Sequence, residues 1–206
     1  ARTAAAGLPV PPGFVVPTDA YRRWHAAGVR SDPAFAQAVV DAYARLGGGP
    51  VAVRSSATAE DGAEFSFAGQ QETVLGVTGP VAVLAAVAAC WASLHTERAV
   101  AYRKQRGVPD DGLAMAVVVQ RLVPADVAGV LFPRDPTDPT GRLMAAEASW
   151  GLGEAVVSGR VTPDRFRLDH DTGAVVETHP GRKTVRVTPH GEEPVPPDQQ
   201  TALCLS

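Results

Sequence analysis

The spacing of hydrophobic positions changes character along the chain, and those changes outline its elements. After a proline-rich turn at 7–13, Phe14-Val15-Val16 predicts a short strand, and Thr18 or Asp19 then caps a helix that passes Trp24 and ends at Gly28. Asp32-Pro33 restarts a second helix, in which Phe35, Val39, Ala42, Tyr43 and Leu46 keep helical spacing until Gly47-Gly48-Gly49 stops it. Val51-Ala52-Val53 predicts a buried strand. Pro80 opens the longest helix, with Leu84, Ala88, Trp91 and His95 down one face, and it runs to Arg106-Gly107. Beyond the polar break at 109–112 the pattern turns to strands, at 115–122, 127–132, 143–148, 166–168, 175–176 and 184–187. A boundary near Asp111 therefore divides an N-terminal α+β lobe, 1–110, from a mostly β lobe, 111–206, and two such lobes predict an α+β fold with a ligand cleft between them.

Both ends read as cut. Residues 1–6 look like the end of a helix, and Asp198 after Pro196-Pro197 looks like the N-cap of a helix that stops at Ser206 after two turns. Ordinary fraying of two termini is the other reading.

Composition narrows the function classes. Hydrophobic residues make up 45% and charged residues 20%, as in a folded globular chain. A net charge of −3, from 19 basic and 22 acidic residues, supplies no positive field to gather nucleic acid or an anionic membrane, so an anion must be held locally. Cys90 and Cys204 form no CxxC pair and neither stands beside a histidine at ligand spacing, so neither zinc nor a disulfide framework is expected. The most apolar stretch, 81–94, is shorter than the roughly 20 residues of a membrane span, and a cytoplasmic location follows. His25, His95, His170, His179 and His190 share no spacing and have no adjacent nucleophile, which assigns them to surface or helix-face positions.

Four stretches carry candidate chemistry. In VAVRSSATAED (51–61) a β-run delivers Arg54, whose planar fork of donors suits phosphate oxygens, followed by the hydroxyls of Ser55, Ser56 and Thr58. A strand-edge arginine paired with Glu60 or Asp61 is the alternative. In 65–74, Gly69 permits a bulky anion to approach the backbone, with Gln70 and Thr73 nearby; a hairpin turn with Phe65 and Phe67 in the core is the alternative. In 117–124, strand backbone led by Gln120 could pair with the edge of a purine while Leu122 and Val123 cover a ring face, or the strand simply ends. The glycines of 148–159 lack the spacing of a dinucleotide fingerprint and read as close-packed turns where a strand runs into a short helix.

Taken in order, GLPVPPGF (7–14), VAVRSSATAED (51–61), SFAGQQET (66–73), CWASLHTERAVAYR (90–103), VVVQRLV (117–123) and SWGLGEAVVSG (149–159) resemble the nucleotide-binding domain of the phosphoenolpyruvate synthase and pyruvate phosphate dikinase family. The stretches 90–103 and 151–159 resemble its rifampin phosphotransferase branch. The resemblance implies an ATP-grasp fold whose two lobes clamp ATP with Mg2+. It also implies a phosphotransferase that passes phosphate through a histidine on a separate domain to an acceptor such as pyruvate or rifamycin. By the same resemblance Arg54 is the phosphate-binding, catalytic arginine, Gly69 and Thr73 belong to a phosphate-covering loop, and Gln120 leads the segment along the adenine. Thr58, Gln70, Leu122 and Val123 extend the ATP contacts. The family's GGK lysine is expected before Ala1 and its acidic metal ligands after Ser206, so no metal ligand is expected here. The implied partners are ATP and the phosphohistidine and acceptor domains. A degenerate, non-catalytic binding or interaction module is the alternative.

Overall fold

Val51, Val53, Val83, Val87, Val117 and Val119 have no solvent exposure, and burying each contributes about 1.5–3 kcal/mol. They join one face of a sheet to the helices that cover it. The computed structural model describes residues 2–27, 32–57, 73–106 and 113–205, and the chain divides into two units, Ala1–Val123 and Pro124–Ser206.

The first unit runs α1 (Arg2–Ala5), β1 (Gly13–Val16), α2 (Thr18–Ala27), α3 (Pro33–Arg45), β2 (Val51–Ala57), β3 (Thr73–Val77), α4 (Pro80–Ser93), α5 (Glu97–Arg106) and β4 (Met115–Arg121). Its sheet has the order β1-β4-β2-β3, and every neighbouring pair is antiparallel. Asp32 caps α3 by accepting hydrogen bonds from the Ala34 and Phe35 amides, with Pro33 in the first turn, and Gly47 at φ 90° takes the chain out of the helix. The Tyr43 hydroxyl donates to the Gly49 carbonyl at 2.8 Å and accepts from the Gly79 amide at 2.9 Å, tying the end of α3 to the start of α4.

Some sequence expectations change here. The long helix is broken at 94–96, and Arg103, folded back on α5, donates to the Leu94 carbonyl at 2.7 Å. Its inner face carries Val83, Ala86, Val87, Cys90 and Trp91, whereas Leu84 and Ala88 are half-buried and His95 is exposed. The stripe predicted through Leu84 and Ala88 was one residue out of phase because alanine and valine dominate both faces. Trp91 is correctly placed and donates through Nε1 to the Met115 carbonyl at 3.2 Å. Pro80–Gln105 is long and apolar enough by composition to cross a membrane; within it the helix breaks at 94–96 and α4 seats Val83, Ala86, Val87, Cys90 and Trp91 in the core.

The expected 111–206 grouping had placed the strand at 115–122 in the second lobe. Its ladder partners are β1 and β2, which makes it an interior strand of the first unit's sheet.

The second unit adds β5 (Val127–Phe132), β6 (Leu143–Trp150), α6 (Glu154–Val157), β7 (Asp164–Asp169), β8 (Val175–His179), β9 (Val185–Thr188) and β10 (Gly191–Pro194). The strands β5-β6-β7-β8 form an antiparallel meander in chain order, and β9 and β10 form a separate hairpin. Each unit is thus of α+β or β type, and the chain as a whole is α+β. Gly151 sits at φ 79°, and a Cβ there would lie 2.4 Å from the Val187 carbonyl oxygen, so only glycine allows the turn to bridge β9. This supports the close-packed reading of the 148–159 glycines.

Lys183 and Asp164 are both fully buried and paired. Burial alone would raise the Asp164 carboxyl. Hydrogen bonds from Lys183 and from the Gly181 and Cys204 amides instead bring it below the ordinary carboxylate value. The helix predicted from Asp198 does not form. The Gln199 carbonyl accepts from Trp150 Nε1 at 3.0 Å and the Gln200 carbonyl from the Lys183 amide at 2.8 Å, so backbone that a helix would need is already engaged.

Candidate functional site

Strand alternation sorts β2 into two sets. Val51, Val53 and Ser55 point into the helix-covered core, at 0%, 0% and 7% exposure, while Ala52, Arg54 and Ser56 point the other way. On β4, Met115, Val117 and Val119 are buried, and Ala116, Val118 and Gln120 take the opposite face.

Directly opposed residues of an antiparallel ladder share a face. Arg54 lies opposite Thr73 on β3 and Val118 on β4, and Gln120 lies opposite Ala52 on β2 and Gly13 on β1. The structure therefore brings Arg54, Thr73 and Gln120 onto one face, with Ser56 beside Arg54 on the same strand. Thr58, Gly69 and Gln70 lie outside the described residues, as do Glu60 and Asp61, the alternative partners of Arg54.

Arg54 is exposed and makes no hydrogen bond or ion pair with any described residue. Its cross-strand neighbours, Thr73 and Val118, carry no charge. A rigid strand thus presents a guanidinium that no described residue compensates beside a hydroxyl, an arrangement that accepts an oxyanion through charge-assisted hydrogen bonds. Sequence reasoning grouped the hydroxyls near Arg54 together. Period-two alternation separates them, since Ser55 is buried with the core and Ser56 faces the same side as Arg54. Ser56 is the site candidate that this rule could have singled out.

Gln120 is positioned but not free. Its Nε2 donates to the Pro11 carbonyl at 2.9 Å, which holds the proline turn against β4. Gly13 serves the same approach, because a Cβ there would meet the Val119 carbonyl oxygen at 2.6 Å. The expectation that the backbone of 117–123 is open to a purine edge is corrected over most of its length. β4 is an interior strand, the Arg121 amide donates to Pro12 and the Leu122 amide to Pro50. The Val123 amide is the first in this segment that no described residue engages, and the Leu122 side chain beside it is half-buried.

Among the described residues, no three His, Cys, Asp or Glu side chains come together as a metal site. Asp135 of the second unit serves structure, accepting from the Thr137 hydroxyl at 2.6 Å and amide at 2.8 Å and from Arg167 at 2.8 Å.

The family described as pyruvate phosphate dikinase, AMP/ATP-binding domain, matches residues 29–206. The chain is 42% identical over 199 residues to a rifampicin phosphotransferase of Streptomyces sviceus, covering 80% of this chain and 23% of that protein. It is 40% identical over 219 residues to a phosphoenolpyruvate synthase of Aeropyrum pernix, covering 86% of this chain and 27% of that protein. A prodigiosin synthesizing transferase of Serratia marcescens is 40% identical over 206 residues, 90% of this chain and 22% of its own length. The chain spans about a quarter of the length of these relatives.

Proposed function

The chain belongs to the pyruvate phosphate dikinase AMP/ATP-binding domain family, and from that membership we propose that Arg54 is its phosphate-binding residue, with ATP held over the sheet face that carries Thr73, Ser56 and Gln120. The observation that carries the proposal is an exposed strand-borne guanidinium to which no described residue supplies a counter-charge. Phosphoryl transfer needs charge neutralisation and alignment more than covalent help from the protein. Arg54 supplies charge at a fixed position, Thr73 and Ser56 supply hydroxyl donors on the same face, and Leu122 with Val123 supplies an apolar edge and, at Val123, an amide for a base that no described residue engages. Thr58, Gly69 and Gln70 complete the phosphate side in this reading.

We further propose an ATP-grasp type of fold and a phosphotransferase role, in which phosphate passes through a phosphohistidine domain to an acceptor such as rifamycin or pyruvate. The names of the relatives support this class of acceptors. Mg2+ enters as the counter-ion of the triphosphate; the described residues gather no carboxylate set for it, and this part of the chain neutralises phosphate through a cation and hydroxyls. A cytoplasmic setting suits a nucleotide-using protein whose two cysteines are buried and not in a disulfide. No observation favours the non-catalytic module.

Titration of the chain with ATP, alone and as Arg54→Ala, tests the assignment. Loss of charge-assisted hydrogen bonds should weaken binding about tenfold or more, with little change in melting temperature because the exposed Arg54 side chain makes no hydrogen bond or ion pair with any described residue. Equal affinity in both proteins would refute the role of Arg54.

A further inference from the structure

A cavity of about 680 Å3 opens at the outer edge of β1, between that strand and helices α2 and α3. Its volume lies within the range of sites for small organic ligands. Phe14 and Val16 of β1 form one wall. Phe35, Val39 and Ala42, spaced three or four residues apart on one face of α3, form the other.

Two cations line this apolar space. Arg23 on α2 and Arg45 in the last turn of α3 both reach it, and neither makes a hydrogen bond or ion pair with any described residue. Arg22, next to Arg23 in sequence, is by contrast tied to Asp19 at 2.7 Å. The one acidic lining residue, Asp32, has its carboxylate engaged by the Ala34 and Phe35 amides as the cap of α3.

The cavity lies mainly on the side of the sheet away from the nucleotide face. Phe14 and Val16 lie opposite the buried Val119 and Val117 and so belong to the helix-covered side, whereas Arg54 projects from the other side of β2; Val15, which also lines the cavity, turns to that other side at the sheet's edge. An apolar pocket lined by two guanidinium groups that no described residue engages suits a ligand with a compact hydrophobic body and a single anionic head.

We propose that this cavity is a second binding site, specific for small aryl or branched-alkyl carboxylates, whose acid group is taken by Arg23 and Arg45 while the hydrocarbon packs between Phe14 and Phe35. The apolar walls provide the area burial and the arginines the discrimination, since an unpaired carboxylate would not leave water for such a pocket.

The test is calorimetric titration of the chain with 4-phenylbutyrate and with its uncharged amide. The carboxylate should bind about tenfold tighter or more than the amide. Arg45→Gln and Arg23→Gln, exposed positions that the fold tolerates, should each shrink that difference, and Ala38→Trp, on the cavity side of α3, should block both ligands. Saturating ATP should leave the carboxylate affinity unchanged. No binding up to about 5 mM carboxylate, equal binding of acid and amide, indifference to both arginine changes, or displacement by ATP would each overturn the proposal.

Discussion

Asp135 is buried among strands, yet its carboxyl is held down at about 2 by the Thr137 hydroxyl and amide, with Arg167 adding to the effect. A carboxyl with a folded value near 2 and an unfolded value of about 3.9 contributes stability that is complete above pH about 4 and is lost as pH falls towards 2. Melting temperature should therefore drop through that window, and Thr137→Val should narrow the window by letting the Asp135 value rise; an unchanged acid limb in the variant would contradict the assigned cause. The two best-placed arginines differ for a reason that burial makes plain. Arg167 is committed to Asp135 and Glu177, while Arg54 has no acid opposite it. Charge at Arg54 was legible in the sequence because a motif pointed to it. Its uncharged surroundings on the ladder were not, because they depend on which residues of β3 and β4 stand across from it. Gln120 shows the converse: its position was legible, but its commitment to Pro11, 109 residues away in the chain, was not.

At the scale of elements, caps and breakers were the reliable signals. Asp32-Pro33 and Gly47 bounded α3 as expected, because caps act within one turn. The inner face of α4 was misjudged where alanines blur the periodicity, and β10 and β3 were not predicted as strands at all, since GEEP (191–194) has no β-branched or aromatic residue and TVLGV (73–77) is broken by Gly76. The turn at Gly151 is the sharpest test of a local reading. Gly151→Ala meets both a left-handed backbone and the Val187 carbonyl oxygen, and it should destabilise the second unit by about 3 kcal/mol. Gly159→Ala has the backbone strain without a neighbour within 4 Å, so it should cost about 1–2 kcal/mol. Urea unfolding of the two variants measures the difference; equal losses would show that the contact with β9 is yielding.

For the whole molecule, the buried Lys183–Asp164 pair has the largest single-residue consequence. Lys183→Met leaves a carboxylate in the second unit's interior with two amides and no cation, and it should destabilise by about 3–5 kcal/mol. A urea midpoint close to that of the parent would mean that water reaches Asp164 readily. The expected lobe boundary failed to separate β4 because composition changes where the helices stop, whereas the sheet it completes began a hundred residues earlier in the pairing of Gly13 with Gln120. That pairing also sets an order in time. The β5-β6-β7-β8 meander joins strands that follow one another in the chain, so each hairpin can zip as soon as its turn closes, while β1 and β2 must wait for β4 before either gains an interior neighbour. In refolding of the whole chain, the half nearer the N-terminus is thus the later to mature. Pulsed hydrogen-exchange labelling during refolding should find the amides of Phe166 and Ala146 protected before those of Val117 and Val119, and simultaneous protection would show that the two halves acquire their structure as one.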